Sequence, residues 1–107
     1  MRTQLVCLAC ARLSILAWPI LNRGADFAMT IDDKAAFEGM KKIANASDGA
    51  IACGECGAAG LGGLLTALAE PSVANQMCLG PESNVLIIGT EGPQNGRLYA
   101  QITGGAI

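Results

Sequence analysis

The sequence predicts an α/β chain, a partial open parallel sheet with helical crossovers. Three observations point there. Residues 33–44 carry apolar side chains at helical spacing behind a capping pair of aspartates. Two short apolar runs, 50–53 and 84–88, each end in a glycine-rich turn. Helical and extended patterns alternate three times along the chain, which is the order of an open α/β module with right-handed crossovers.

Each element follows from local chemistry. Residues 14–23 read as a helix: Ser14 offers an N-cap, Pro19 falls early and Gly24 supplies a stop. Residues 27–31 read as a short strand. Thr30, Asp32 and Asp33 then cap and charge the start of the next helix, 33–44. On it Phe37, Met40, Ile43 and Ala44 form one face, and Lys34, Glu38, Lys41 and Lys42 the other. A polar loop, 45–49, leads to the run 50–53, read as a buried strand, and to the turn 54–57. Residues 58–70 form a helix apolar nearly all round, with Gly60, Gly62 and Gly63 in its first turns and Pro71 at its end. Glycines inside a helix cost about 1 kcal/mol each. They are tolerated where a ligand or another backbone comes close. Residues 84–88 (Asn-Val-Leu-Ile-Ile) read as a strand covered on both faces. Residues 1–92 form the one domain, and 93–107 a poorly ordered tail.

Composition narrows the function classes. The chain has 107 residues, 51% of them hydrophobic and 15% charged, with 14 glycines. Such a chain suits packing against something larger. A net charge of −2 with scattered basic residues gives no footprint for nucleic acid. The absence of histidine removes imidazole acid–base catalysis and imidazole metal sites. Five cysteines cannot close into a disulfide framework, so we expect reduced thiols and a cytoplasmic protein. The apolar stretch 5–21 mimics a signal peptide, but Arg12 interrupts it, at about 2.5–3.5 kcal/mol in a bilayer centre. Neither a targeting nor a membrane role is expected.

Cys7-x-x-Cys10 and Cys53-x-x-Cys56 would supply four thiolates to zinc. Zinc ribbons space their pairs by roughly 15–20 residues, whereas the 42 residues 11–52 lie between these; no metal site is expected. Cys53-Gly54-Glu55-Cys56 also sits between a strand and a helix, as thioredoxin-like motifs do, with Cys56 near a helix N-terminus. It lacks their aromatic and proline context. Cys78 reads as packing. Glu55 stands before a helix N-terminus, whose dipole favours its charge, as a cofactor contact or as a simple cap. The Thr90 hydroxyl follows a buried run and a glycine, within reach of a ligand, or as an ordinary turn residue. Glu91 reads as solvated.

Gly54-Glu55-Cys56-Gly57-Ala58-Ala59-Gly60-Leu61 resembles the Gly-Glu-Ser-Gly-Ala segment of diaminopropionate ammonia-lyases, which are fold-type II pyridoxal phosphate enzymes. Val85-Leu86-Ile87-Ile88-Gly89-Thr90-Glu91-Gly92 is similar to that family's closing strand and Ser-Thr-Glu-Gly turn. Leu8-Ala9-Cys10, Ser14-Ile15-Leu16-Ala17-Trp18, Gly24-Ala25-Asp26 and Asp32-Asp33-Lys34-Ala35-Ala36 extend the likeness.

The resemblance implies a cytoplasmic, homodimeric parent enzyme of amino-acid catabolism. Its pyridoxal 5'-phosphate forms a Schiff base with the substrate amine and acts as electron sink. The α,β-elimination of diaminopropionate gives pyruvate and ammonia. It further implies cofactor contacts at Glu55, which matches the family glutamate near the ring, and at Gly89, where relatives carry a serine that bonds the pyridine nitrogen. Thr90, adjacent, is the substitute hydroxyl. Three departures stand out. Cys56 replaces serine, Ala11-Arg12-Leu13 replaces Gly-Glu-Pro, and none of Lys34, Lys41 and Lys42 matches the Schiff-base lysine. We therefore expect the C-terminal portion of such an enzyme, inactive alone and with no catalytic residue of its own. The alternatives are a piece of a threonine- or serine-dehydratase-like enzyme, a stand-alone cysteine-based zinc or redox module, and a non-catalytic remnant that associates with a full-length homologue.

Overall fold

The helix over 33–44 packs against two others, over 59–69 and 96–103. In the computed structural model, which describes residues 2–104, the helices are α1 (Trp18–Gly24), α2 (Asp33–Ala44), α3 (Ala59–Ala69), α4 (Pro71–Gln76) and α5 (Gly96–Thr103). A single 3-10 turn, Val6–Leu8, precedes them.

The start of α2 is fixed by Asp32, whose carboxylate accepts the Ala35 N–H at 2.9 Å, and by the charge of Asp33 in the first turn. Lys41 and Lys42 complement the dipole at its other end. The face expected to be apolar is the one that packs: Met40 is fully buried and Ala44 nearly so, with Ile43 and Phe37 half-buried beside them. All three lysines are exposed.

Helix α3 lies on α2 at backbone distance, and the glycines make that possible. A Cβ on Gly39 would stand 2.7 Å from Ala58 O and from Gly62 N. A Cβ on Gly62 would stand 2.7 Å from Ala35 C and 2.9 Å from Ala36 N. Of the three glycines for which a close approach is anticipated, Gly62 meets another backbone, Gly60 meets the Ile87 side chain at 3.1 Å and Gly63 only Met29 Sδ at 3.9 Å. Pro71 does end α3, and as a first-turn proline it also opens α4.

Among the described residues there is no strand, which corrects the expected open parallel sheet. Residues 84–88 are the clearest case. They do not join a hydrogen-bonded ladder, and Val85, Leu86 and Ile88 are 48%, 87% and 73% exposed rather than covered on both faces. The Ile51 N–H is bonded to Ile43 O at the end of α2, not to a neighbouring strand. Phe27 and Met29, in the third expected strand, are exposed. An apolar run records a need for burial; a strand needs a partner backbone as well, and none of the three segments has one here.

The segment 93–107, expected to be a poorly ordered tail, contains α5. Asn95 caps that helix by accepting the Leu98 N–H at 3.1 Å, and Gly104 closes it at φ +72°. Tyr99 and Ile102 pack it against α2, in the cluster of Met40, Ala44, Cys53 and Ala58. Residues 105–107 of that expected tail lie outside the described residues.

Candidate functional site

The two glycine-rich turns, far apart in the chain, meet. The Gly54 N–H donates to Glu91 O at 3.2 Å, and the Cys53 thiol to the same carbonyl at 3.6 Å. The turn 54–57 is closed by the Ala58 N–H on Gly54 O at 2.9 Å. A side chain at Gly54 would strike the Glu91 carboxylate and Gly92 O, each at 2.5 Å. One at Gly57 would strike Glu91 O at 2.7 Å and Cys53 Sγ at 2.8 Å. These two glycines are what let the turns touch.

Glu91, expected to be solvated, is the hub of the junction. Its Oε1 accepts the Cys56 N–H at 2.9 Å, and its Oε2 accepts the Cys7 thiol at 3.4 Å. That carboxylate pushes the Cys7 pKa up to about 11, first through the hydrogen bond and then through its charge. Cys53 is also pushed up, first by burial and then by the charge of Glu91. Glu91 thus joins Cys7 of the first Cys-x-x-Cys pair to both Cys53 and Cys56 of the second. Cys10 remains outside the cluster, exposed, and its thiol donates to Cys7 O at 3.6 Å. Sequence spacing could not reveal this, because 84 positions separate Cys7 from Glu91.

Beside the junction lies a cavity of about 480 Å³, lined by Ala52, Cys53, Gly57, Gly89, Thr90 and Glu91 among others. Gly89 and Thr90 thus share one pocket. Glu55 does not line it; it faces an adjoining cavity of about 570 Å³ with Cys7, Glu91 and Arg97. A Cβ at Gly89 would come within 3.0 Å of Cys53 Sγ. A serine there would therefore press on that thiol, and glycine at 89 suits cysteine at 53.

Pyridoxal phosphate fits this pocket only in part. A hydroxyl is available at Thr90, but the lining residues include no amine and no cation to take an aldehyde or a phosphate. Lys41 and Lys42 line a different cleft, with Glu38 and Asp48, and Lys34 is exposed on α2. The pocket thus offers a hydroxyl but no group for the aldehyde or the phosphate.

No family model and no solved structure matches the chain. Curated proteins do. It is 32% identical over 108 residues to the diaminopropionate ammonia-lyase of Salmonella typhimurium, and 33% identical over 107 residues to those of Escherichia coli K12 and O157:H7. In each case the match takes in 95% of this chain and 27% of the relative. The chain is therefore similar to a portion of the diaminopropionate ammonia-lyases, about a quarter of their length.

Proposed function

We propose that this chain is the C-terminal module of a diaminopropionate ammonia-lyase that uses pyridoxal phosphate, and that it contributes one wall of the cofactor pocket without catalysing the reaction alone. One observation supports this above the others. The two segments that carry the family likeness, 54–61 and 85–92, are the ones that meet at the pocket. In this reading the Thr90 hydroxyl takes the place of the serine expected at position 89 and bonds the ring nitrogen. Gly89 leaves room at the pocket wall, and Glu55 lines the neighbouring cavity with Cys7 and Glu91. The chain supplies no lysine to hold the aldehyde, so the chemical steps belong to the remainder of such an enzyme, a cytoplasmic homodimer acting on a small amino acid. No described helix is long and apolar enough to cross a membrane.

The test uses the purified chain and a chimera. Pyridoxal phosphate added to the chain should give no lysine-dependent change in visible absorbance, and no pyruvate should form from diaminopropionate. The chimera is the E. coli lyase with its matching quarter replaced by this chain. It should bind the cofactor and release pyruvate from diaminopropionate in preference to serine or threonine, and Thr90→Val in it should weaken cofactor binding. A folded chimera whose cofactor binding ignores Thr90→Val would refute the assigned contact. Turnover of serine or threonine instead would favour the dehydratase reading.

A further inference from the structure

Cys7, Cys56 and Glu91 bring two thiols and a carboxylate oxygen within 4.8 Å of one another. Each is held by a different part of the fold. Glu91 is fixed through its carboxylate by the Cys56 N–H and through its carbonyl by the Gly54 N–H. Cys56 is 9% exposed and packs with Leu5 and Ala36. Cys7 sits in the 3-10 turn Val6–Leu8, two residues after Leu5, which is itself buried in that cluster.

The geometry points to a site for a thiophilic divalent cation such as zinc, bound by Cys7 Sγ, Cys56 Sγ and a Glu91 carboxylate oxygen, with water in the fourth position. Zinc–sulfur bonds of about 2.3 Å and zinc–oxygen bonds of about 2.0–2.2 Å put tetrahedral ligands roughly 3.5–3.8 Å apart. From at most 4.8 Å the atoms need to close by about 1.3 Å at most, which is a side-chain adjustment. Two sulfur ligands select zinc-like over magnesium- or calcium-like ions. Binding releases both thiol protons to solvent, and no electron is transferred. Three protein ligands with one open position differ from the closed four-cysteine sites of structural zinc. The ion would clamp the amino-terminal turn to both glycine-rich turns. This inference does not rest on the lyase reading, since its test needs neither cofactor nor substrate.

The full chain, reduced and freed of metal, is titrated with cobalt(II) and then zinc. The expected result is one cobalt per chain, with a sulfur-to-cobalt absorption of two-thiolate intensity that zinc abolishes. Cys7→Ser or Cys56→Ser should remove the signal. Glu91→Gln should weaken binding by at least about tenfold, since even supporting groups at such sites are worth that much. Cys10→Ser, Cys53→Ser and Cys78→Ser should retain the signal. Where a variant fails to fold, alkylation of the unmodified chain decides: zinc-dependent protection should map to Cys7 and Cys56 alone. The inference is overturned by the absence of one-to-one binding, or by zinc-dependent protection of Cys10 and Cys53.

Discussion

Replacing Gly62 with alanine tests the crossing on which the fold depends. Two opposed effects are set against each other. Alanine inside a helix is favoured over glycine by about 1 kcal/mol. Its new methyl, however, would lie 2.7 Å from Ala35 C and 2.9 Å from Ala36 N. These are backbone atoms of α2, so no side chain can swing aside; the helices must separate. Overpacking costs typically about 1–3 kcal/mol, and a rigid backbone partner argues for the upper half of that range. The net expectation is a loss of about 1–2 kcal/mol. Gly63→Ala is the control one residue on, where the new methyl would meet only Met29 Sδ at 3.9 Å. It should stabilise by up to about 1 kcal/mol. Urea denaturation of the three proteins, with equal slopes, gives the differences directly. If Gly62→Ala raises the midpoint as much as Gly63→Ala does, α2 and α3 are not in backbone contact and the account of the glycine-rich helix fails.

Three further outcomes follow from the same structure. Glu91→Gln, in a chelator, should bring the Cys7 thiol down from about 11 toward its ordinary 9.0, read from the pH profile of alkylation. The sign is that of a group whose folded pKa is raised: its contribution to stability is complete below pH 9.0 and fades as pH rises toward 11. Asp33 is shifted the other way, lowered from 3.8 by the Thr3 hydroxyl and then by the Gln4 N–H. Its contribution is present above pH 3.8 and lost as pH falls through the folded value. Thr3→Val should raise that value in a carboxyl NMR titration and leave α2 intact. Tyr99→Phe removes a buried hydroxyl without a hydrogen-bond partner among the described residues. Stability should hold or rise by about 1 kcal/mol in the same urea assay, and a loss of that size would mean the hydroxyl is bonded.

Helices α2 and α3 were legible because their signals are local, whereas α5, whose Asn95 cap is just as local, lies in a stretch that reads as a tail. Asp32 and Asp33 sit three and two positions before Ala35, and the apolar face of α2 repeats within four residues. Gly62 fits the expectation that a helix glycine admits a close backbone, whereas Gly63 has nothing nearer than Met29 Sδ at 3.9 Å. Pairing is another matter. Residues 84–88 have the composition of a buried strand, but composition does not say which backbone lies alongside. Glu91 was misjudged for a related reason: a charged residue between Thr90 and Gly92 looks solvated until the turn at 54–57 is folded against it. The likeness to the lyases implies that the two turns lie together, and they are in contact through the Gly54 N–H and Glu91 O. It does not indicate that Cys7 joins them, or that Glu55 lines a different cavity from Gly89 and Thr90.

A folded chain of 10.9 kDa is expected to expose about 5,600 Å², and this one exposes 7955 Å². Its radius of gyration is 14.6 Å, against about 13 Å for a compact domain of its length. Large apolar side chains contribute to it: Ile15, Leu16, Leu86 and Ile88 are 73–89% exposed. An excess of about 2,400 Å² is the scale of an obligate interface rather than of a transient one. Under the reading proposed above, the other three-quarters of a lyase would cover it. The isolated chain should therefore bind a hydrophobic dye strongly and self-associate with rising concentration, whereas the chimera with the E. coli enzyme should do neither. Sedimentation velocity and dye fluorescence measure both. A chain that stays monomeric and dark to the dye would show that this surface wants no partner, and would remove the physical argument that the module belongs inside a larger enzyme.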